Sequence, residues 1–394
     1  MGLFKEVKKP VIRSAASGAD VSGLRPVYVA KTAPCIHSCP SGTDVRGWLV
    51  ALAQREAYGR TTAEAFERAW RTILEHNPFP AICGRVCQHP CELNCNRKVK
   101  DGPVAVNQLE RFVGDFAIAQ GWRAEPLVVR KADAPKVAVV GAGPAGLTAA
   151  YHLARKGCAV TVFDAAPRPG GLLRYRIPRA VIPADVLDAE IENIRGLGVE
   201  LRQGCVVGRD VALDELKRDY RAVFFALGLQ KAAQLELRPH ENGGSVFAGE
   251  LPAELPEIPG EEATEVVPRV LNTVSVAIAQ GQAVAKAMAE YLSGNGKAQA
   301  APAVVRSEKL KLDWYPAAQR SDGGAPMTEG EALAEAARCM SCGMCMDCET
   351  CWMYCSKNCF VKLPKGEHYK IKIDLCNGCG KCVESCPCGY IEMK

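Results

Sequence analysis

The chain has 394 residues, of which 48% are hydrophobic and 24% charged, and its formal net charge is +5. This length allows two or three domains with their own cores, and so mild a charge gives no reason to expect nucleic acid or an anionic membrane as partner. No apolar run approaches the ~18 residues of a membrane span, and no apolar signal segment opens the chain, which predicts a cytoplasmic protein.

Cysteine is the unusual component of this composition. The 20 cysteines form two blocks, residues 35–95 and 339–388, with only Cys158 and Cys205 between them. In a reducing compartment, dense and regularly spaced cysteines favour metal ligands over disulfides. Cys158 and Cys205 stand alone and are expected to be core or strand-edge residues, which argues against a disulfide-reductase mechanism.

The first part of the chain is expected to be helical. Residues 1–30 show no clear period and are interpreted as an extended arm. Over residues 31–125, apolar residues recur at three- to four-residue spacing, which predicts helices interrupted by cysteine-bearing loops.

The rest of the chain divides into an α/β domain, a linker and a second cysteine domain. Residues 134–295 alternate strands and helices and end in a predicted helix over 270–292. Residues 296–327 are rich in Gly, Ala and Pro and are interpreted as a linker. Thr328, with Glu331 three positions on, can cap a short helix that leads into the last domain, residues 328–394.

A glycine-rich turn opens the α/β domain. It follows a strand, precedes a helix, and contains Gly141, Gly143, Pro144, Ala145 and Gly146. Such glycines allow a tight turn, close approach of the backbone to a pyrophosphate, and close packing of helix on strand. Asp164 ends the next strand, where a carboxylate would accept the ribose hydroxyls. A bland αβ turn is the alternative interpretation of the glycines alone.

Later residues favour FAD as the dinucleotide. Gly170 and Gly171, followed by Leu172 and Arg174, provide a double glycine that lets backbone lie against a flavin. The strand that ends at Gly228 and the Val-Phe-Ala-Gly-Glu segment with Gly249 and Glu250 resemble motifs of flavoproteins that bind two dinucleotides. Glu250 stands where those proteins usually have Asp.

A second nucleotide-binding domain is missing from its usual place. It would lie between Gly228 and Gly249, but only 20 residues separate them, and such a domain needs on the order of 100 residues. The sequence therefore predicts no NAD(P)H site in this chain, so that the flavin exchanges electrons through clusters or a partner.

Two ferredoxin-type cysteine runs occupy the last domain. The fourth cysteine of each run is expected to ligate the other cluster, as in bacterial two-cluster ferredoxins. One predicted [4Fe–4S] site is Cys345, Cys348, Cys351 and Cys386, and the other is Cys376, Cys379, Cys382 and Cys355. Zinc is the alternative, but zinc motifs rarely duplicate this three-cysteine spacing. Cys359 and Cys388 are surplus to both sites.

The N-terminal cysteines resemble those of a known family. Cys35, Cys39 and Pro40, then the Asn77–Pro80 segment with Cys83, Cys87, Cys91 and Cys95, resemble the N-terminal domain of the glutamate synthase small subunit and of dihydropyrimidine dehydrogenase. The resemblance covers residues 31–295, without the NAD(P)H domain. It implies a helical domain that holds two [4Fe–4S] clusters.

The resemblance also implies ligands. Cys39, Cys87, Cys91 and Glu110 would hold the first cluster, and Cys83 would be a neighbour; a solvated helix residue is the alternative role of Glu110. The second cluster would use Cys35 and Cys95 with a Cys-x2-Cys pair that normally precedes them and is missing here. We expect Cys339 and Cys342, in an Ala-Arg-Cys-x2-Cys-Gly segment of the same kind, to complete this cluster.

The expected architecture is therefore multidomain: an α-helical [4Fe–4S] domain, a single Rossmann-like FAD domain and an α+β ferredoxin-like module with two [4Fe–4S] clusters. The last module also resembles the tail of the sulfite-reductase-associated relative of the glutamate synthase small subunit and the δ subunit of 2-oxoacid:ferredoxin oxidoreductases.

The predicted function is electron transfer between FAD and four [4Fe–4S] clusters. The leading hypothesis is a subunit of a larger anaerobic oxidoreductase complex, in 2-oxoacid or sulfur metabolism, whose partners are other subunits or a ferredoxin. The alternatives are a self-standing NAD(P)H:acceptor oxidoreductase and a scaffold subunit with a structural FAD. No catalytic acid, base or nucleophile can be assigned.

Overall fold

A computed structural model describes residues 22–228, 245–248, 263–293, 303–321, 326–364 and 366–394. For residues 245–248 and 263–273 it describes the backbone alone. The helices are α1 Pro34–Ser38, α2 Val45–Ala53, α3 Thr62–Leu74, α4 Pro80–Val86, α5 Pro90–Leu93, α6 Val106–Ala119, α7 Pro144–Arg155, α8 Leu172–Tyr175, α9 Ala184–Arg195, α10 Leu213–Asp219, α11 Ala263–Ser293, α12 Glu329–Ala336, α13 Thr350–Met353 and α14 Lys381–Ser385. The strands are β1 Pro26–Tyr28, β2 Lys136–Val140, β3 Ala159–Asp164, β4 Glu200–Gln203, β5 Ala222–Phe225, β6 Ser245–Ala248, β7 Phe360–Lys362, β8 Tyr369–Ile371 and β9 Ile391–Met393. None of the described helices is long and apolar enough to cross a membrane.

Helices α1 to α6 form the first domain, as the periodicity predicts. Helix α3 begins with a capping box. The Thr61 side chain accepts from the Glu64 backbone N–H, and the Glu64 side chain accepts from the Thr61 backbone N–H. The buried face of α3 includes Phe66 and Trp70, and Phe66 packs against Phe112 and Phe116 of α6. Capping fixes where α3 begins, and burial of its aromatic face fixes α3 against α6.

The second domain is a parallel sheet with the strand order β4-β3-β2-β5-β6. Strand β2 lies at the centre and is buried over Val137–Val140, as expected of a strand covered on both faces. It pairs with β3 in the register Val140↔Phe163 and with β5 in the register Val140↔Phe225. The carboxyl ends of β2 and β3 therefore lie side by side, which brings Gly141 and Asp164 to one edge of the sheet.

Helix α11 covers the helix that follows the glycine turn. It begins at Ala263, seven residues before the predicted start, and packs along α7. A Cβ atom at Gly281 would lie 2.2 Å from the Ala145 carbonyl oxygen, so glycine is required for this close approach.

Both ends of the described chain meet in the last domain. Strand β1 pairs with β9 in the antiparallel register Val27↔Glu392, and Lys31 forms an ion pair with Glu392 at 2.8 Å. The part of the predicted arm that the structure describes is therefore an integral strand of the C-terminal module. Residues 1–21 of the arm lie outside the described residues.

The segment interpreted as a linker is packed over residues 303–321. Val305 is buried and its N–H donates to the Thr32 carbonyl, and the buried Tyr315 hydroxyl donates to the Met340 carbonyl at 2.7 Å. The Gly, Ala and Pro composition predicted a linker without packing contacts. In the structure, however, the apolar residues Val305 and Tyr315 are buried against other parts of the chain.

Candidate functional site

Four residues from four helices surround the first predicted cluster site. Cys39 and Cys87 are the C-caps of α1 and α4, Cys91 lies on α5, and Glu110 lies on α6. Burial raises the pKa of Glu110 to about 7, while the Asn77 amide donates to its carboxylate at 3.0 Å. Burial, followed by the charge of Glu110, raises the pKa of Cys87 to about 11. Glu110 thus lies close to the cysteines of this set.

Hydrogen-bond donors flank this set. The Ser41 hydroxyl lies 3.3 Å from Cys39 Sγ, the His89 N–H donates to Cys87 Sγ at 3.3 Å, and Ser275 of α11 also bonds to Cys87. Cys83 is also buried beside Glu110. Donors to cluster sulfurs are one of the main determinants of reduction potential.

The second set joins the two cysteine blocks. Cys35 and Cys95 come from the N-terminal domain, and Cys339 and Cys342 follow α12 near the other end of the chain. Burial, and then the charges of Cys339, Cys342 and Cys95, raise the pKa of Cys35 well above its usual value. Burial raises the pKa of Cys342 to about 12, with the charges of Cys339 and Cys95 adding to it. The structure therefore brings together Cys35, Cys95, Cys339 and Cys342. This is the set in which Cys339 and Cys342 were expected to replace the missing upstream Cys-x2-Cys pair.

Buried arginines hold this junction together. Arg97 donates to the Arg338 carbonyl at 2.5 Å and forms an ion pair with Asp101 at 2.6 Å. Arg338, 1% exposed, pairs with Glu335 at 2.6 Å and donates to the Gly102 carbonyl at 2.9 Å. A network of this kind is costly to disrupt, because loss of one partner leaves a buried charge unpaired.

Arg46 also crosses between the domains at this junction. It donates to the Lys31 carbonyl at 2.9 Å and to the Cys342 carbonyl at 2.7 Å. Arg46 and the arginines of the network were not recognised from the sequence, because no local motif links them to residues about 240–300 positions away.

The third set comprises Cys345, Cys348, Cys351 and Cys386. Burial, and then the charges of Cys348, Cys345 and Cys386, raise the pKa of the Cys351 thiol. The surplus Cys388 lies here too, with its Sγ 3.8 Å from Cys386 Sγ. Its thiol lowers the pKa of Cys386 by hydrogen bonding.

The fourth set comprises Cys355, Cys376, Cys379 and Cys382. They line one cavity with the surplus Cys359, whose N–H donates to Cys355 Sγ at 3.2 Å. Burial, and then the charges of Cys355, Cys376 and Cys379, raise the pKa of Cys382 to about 12.

A polar group beside the third set was missed by the sequence analysis. His368 Nδ1 lies 2.8 Å from Asp347 Oδ1, and the Tyr58 hydroxyl donates to Asp347 Oδ2 at 2.9 Å. The ligand atoms of Cys345, Asp347 and His368 all lie within 4.8 Å of one another. Only the fold shows this group, since Tyr58 and His368 are distant in sequence from Cys345.

The donor chemistry of all four sets fits iron–sulfur clusters. Buried thiols that raise one another's pKa do not ionise together without a compensating cation, and thiolates are the soft ligands that such clusters take. Each set offers three or four sulfur ligands from helix ends and loops, the geometry in which Cys-bound clusters are held.

The glycine turn leaves room for a dinucleotide phosphate. A Cβ at Gly141 would lie 2.2 Å from the Ala226 carbonyl oxygen, and one at Gly146 would lie 1.9 Å from the Gly141 carbonyl oxygen. At Gly143 a Cβ would have no described heavy atom within 4 Å. The first and third glycines are thus required by packing, whereas the second opens onto space at the N-terminus of α7, where Pro144 and Ala145 begin the helix. A helix N-terminus of this kind suits a phosphate.

The double glycine lies against this turn. Gly170 N–H donates to the Ala142 carbonyl at 2.8 Å, and a Cβ at Gly171 would lie 2.8 Å from the Gly143 Cα. Asp164 accepts from the Ala142 N–H at 2.5 Å and from the Ala166 N–H at 2.7 Å, so its carboxylate also shapes the turn.

Arg174 carries a buried donor that lacks a partner. Its side chain is 3% exposed, pairs with Asp188, and donates from Nε to the Pro169 carbonyl at 2.5 Å. Its Nη1 is buried without a hydrogen-bond partner among the described residues, which leaves one donor available to a ligand. Leu172 begins α8 beside it, and Gly228 has a positive φ of 77° after β5. Gly249 and Glu250 lie outside the described residues.

Two families match the chain. Residues 4–122 match the dihydropyrimidine dehydrogenase domain II family, which carries a 4Fe–4S cluster, and residues 139–194 match the NAD(P)-binding Rossmann-like domain family. Over these regions the chain is similar to iron–sulfur proteins with such a cluster domain and to proteins with a dinucleotide-binding domain, which confirms the resemblance found in the sequence. The Rossmann match is not specific for FAD.

Several curated proteins are similar to the chain in sequence. The chain is 37% identical over 259 residues to the NADP(+)-dependent formate dehydrogenase subunit beta of Moorella thermoacetica, covering 60% of this chain and 35% of that protein. It is 34% identical to the NADPH-Fe(3+) oxidoreductase subunit beta of Geobacter sulfurreducens, and the match covers 55% of this chain and 31% of that protein. It is 37% identical to the NAD-dependent dihydropyrimidine dehydrogenase subunit PreT of Escherichia coli K12, and the match covers 53% of this chain and 49% of that protein. The chain thus spans between about a third and a half of the length of these relatives.

Proposed function

We propose that this chain is an electron-transfer subunit of a larger oxidoreductase, in which one FAD exchanges electrons with four [4Fe–4S] clusters. The observation that carries the proposal is the grouping of 16 candidate ligands into four sets of four. Three of the relatives are subunits of oxidoreductases by name, which supports a role within a complex. A cytoplasmic, anaerobic setting suits so many thiol-held clusters, since the reducing compartment keeps thiols free.

The four sets would form a relay because neighbouring sets lie close together. Ser275 of α11, the helix that packs on α7, bonds to Cys87 in the first set. Cys35 of the second set lies near Cys91 of the first, and buried Tyr315 lies near both Cys342 and Cys348. The third and fourth sets share one hydrophobic core of the C-terminal module. Each cluster carries one electron at a time, whereas the flavin carries two.

FAD is proposed for the dinucleotide site. The open space beside Gly143, the double glycine packed on it and the buried Nη1 of Arg174 could together hold a pyrophosphate and the flavin next to it. In this proposal the chain's residues position the flavin and leave the chemistry to it and to the partner subunits.

Anoxic reconstitution tests the relay directly. The full chain should bind about one FAD and about 16 irons with equal acid-labile sulfide, and dithionite should reduce both flavin and clusters. Colourless protein, or protein that binds zinc in place of iron and sulfide, would contradict the proposal. A flavin that dithionite cannot reduce would favour the scaffold alternative.

A self-standing NAD(P)H:acceptor oxidoreductase is the second candidate, and the match to an NAD(P)-binding family favours it. An anaerobic titration separates the two functions. Bleaching of the flavin or of the clusters by NADH or NADPH in the purified chain alone supports the second candidate, whereas reduction only after addition of a partner supports the first.

A further inference from the structure

The charge of the last domain differs between its two cluster sites. Residues 328–354, around most of the third set, contain five acidic residues and one arginine, whereas residues 355–386, around the fourth set, contain six lysines and three acidic residues. In the proposed relay the fourth set follows the third, with which it shares a hydrophobic core. The surface beside the fourth set, where electrons would leave or enter the chain, is therefore built mainly from the more basic of the two segments.

Apolar side chains are exposed on the same surface. Leu24, Ile373 and Leu375 are 51%, 43% and 45% exposed. Ile373 and Leu375 form the turn directly before Cys376, whose N–H donates to the Ile373 carbonyl at 3.0 Å. Leu24 reaches the same site from the N-terminal arm, because its carbonyl oxygen would lie 2.9 Å from a Cβ at Gly378.

Lysines flank these apolar residues. Lys357 and Lys381 line the cavity with the cysteines, and the exposed Lys372 donates its backbone N–H to the Cys359 carbonyl at 2.8 Å. Asp374 is the acidic residue on this turn. We call the surface formed by Leu24, Lys357, Lys372, Ile373, Leu375 and Lys381 the basic rim.

We propose that the basic rim is the docking surface for an acidic, one-electron carrier protein of the ferredoxin class. This inference rests on the proposed function, because it assumes a cluster in the fourth set. Three partly exposed apolar side chains among lysines make a small, charged surface, which fits a transient electron-transfer encounter of less than about 1,200 Å² rather than the larger apolar interface of a permanent subunit. One electron passes at each encounter, so the carrier is oxidised by one electron as the cluster is reduced by one, or the reverse.

Charge complementarity makes the encounter dependent on salt. Attraction between a basic and an acidic surface speeds association at low ionic strength and is screened over about 10 Å at 0.1 M salt. The rate constant for electron transfer from the carrier should therefore fall as ionic strength rises.

Stopped-flow mixing of the oxidised holoprotein with a reduced, acidic plant-type [2Fe–2S] ferredoxin tests the proposal. The Lys357→Glu/Lys372→Glu variant should lower the bimolecular rate constant about tenfold at low ionic strength and flatten its salt dependence. Lys131→Glu/Lys156→Glu is the matched control, since it reverses the same number of charges at exposed positions before and at the end of α7. Its rate constant should stay within about twofold of that of the unaltered protein.

The outcomes separate docking from the relay. Iron content and the dithionite-reduced EPR spectrum are measured for each variant, so that loss of a cluster is not mistaken for loss of docking. If all clusters are present and reducible but both double variants react equally fast, the docking proposal is overturned and the relay stands. If the unaltered protein holds no cluster in the fourth set, the proposed function fails first. A subunit that co-purifies in a native complex could instead cover this surface. If it protects Lys372 from an amine-reactive label, the proposal that a soluble carrier docks at the basic rim is overturned.

Discussion

Cys339 illustrates at the scale of single residues how one site draws on both ends of the chain. It lies beside Cys95, about 240 positions away, and burial raises its pKa to about 11. If this set holds a cluster, as proposed, the Cys339 thiol binds it only together with its N-terminal partners. The contribution of Cys339 to cluster binding can therefore be measured as the iron content of the protein.

Replacement of Cys339 by Ser should remove one cluster. We expect the iron content of anoxically prepared protein to fall by about four irons per chain, because one [4Fe–4S] set loses a thiolate ligand. Iron and sulfide analysis with Mössbauer spectroscopy measures this. Cys205→Ser, a partly exposed cysteine of the Rossmann-like domain, is the matched control and should retain full iron. Unchanged iron in Cys339→Ser would show that the set is not a cluster site.

His152 gives the fold a pH dependence unrelated to metal. It is buried on α7, its Nε2 lies 3.2 Å from the His76 carbonyl oxygen, and burial lowers its pKa from 6.5 to about 4. Between these two values the unfolded chain binds a proton that the folded chain does not. The free energy of unfolding should therefore decrease as pH falls from about 6.5 to 4, by up to ~3 kcal/mol.

Chemical denaturation across this pH range measures the effect. His152→Gln keeps a hydrogen-bonding side chain of similar size but cannot titrate, so its pH slope should be smaller than that of the unaltered protein. Equal slopes in the two proteins would assign the acid sensitivity to other groups.

The sequence predicted which cysteines lie together, but it did not predict the groups around them. Cysteine spacing is local, so the two ferredoxin runs and the Cys87–Cys91–Cys95 series could be grouped from spacing and resemblance. The groups that lie around them could not, because Tyr58, Asp347 and His368 meet only through packing between the domains.

Helix α11 is the clearest case at the scale of secondary structure elements. Its apolar period predicted residues 270–292, but the helix begins at Ala263, and Pro268 lies inside it. Proline usually marks a helix boundary, so the pattern suggested a later start. No sequence signal showed that Gly281 faces α7, since the closeness of two helices depends on both surfaces.

Gly281→Ala should loosen the contact between α11 and α7. The added Cβ would lie 2.2 Å from the Ala145 carbonyl oxygen, so the helices must separate. We expect the free energy of unfolding to fall by about 1–3 kcal/mol, as in other overpacked cores. Thermal unfolding measures the change. Gly330→Ala, in a helix position with no described atom within 4 Å of the new Cβ, should be neutral or slightly stabilising.

Gly143→Ala should act on the ligand and leave the fold intact. Its Cβ would enter open space beside the N-terminus of α7, so the thermal unfolding midpoint of the protein stripped of FAD should be nearly unchanged. FAD occupancy after reconstitution should fall at least about tenfold, because the Cβ takes the place of a phosphate in close backbone contact. Full FAD occupancy in this variant would place the dinucleotide elsewhere.

At the scale of the whole molecule, the second cysteine set and strand pairing connect the same two regions. Strands β1 and β9 pair, Arg46 bonds to both Lys31 and Cys342, and Arg97 bonds to Arg338. Nothing in the sequence indicated that residues 26–28 and 303–321 are packed, because both segments acquire their structure by contact with distant parts of the chain.

Removal of iron should therefore loosen both cysteine domains together. Cluster binding stabilises the folded state that holds it, so anoxic chelation removes stabilisation from every segment that supplies ligands. We expect amide hydrogen exchange to accelerate jointly in α1, in β1 and β9, and in the segment after α12, while the central strands β2 and β3 stay protected.

Two variants separate this coupling from general loss of metal. Cys379→Ser affects only the fourth set, whose ligands all come from the C-terminal module, so faster exchange should stay within residues 355–394 and their β1 partner. Cys342→Ser affects the set shared by the two domains, so faster exchange should also extend to α1 and to the residues around Cys95. Confinement of the Cys342→Ser effect to the C-terminal module would show that the buried arginines and strand pairing hold the two domains without help from the cluster.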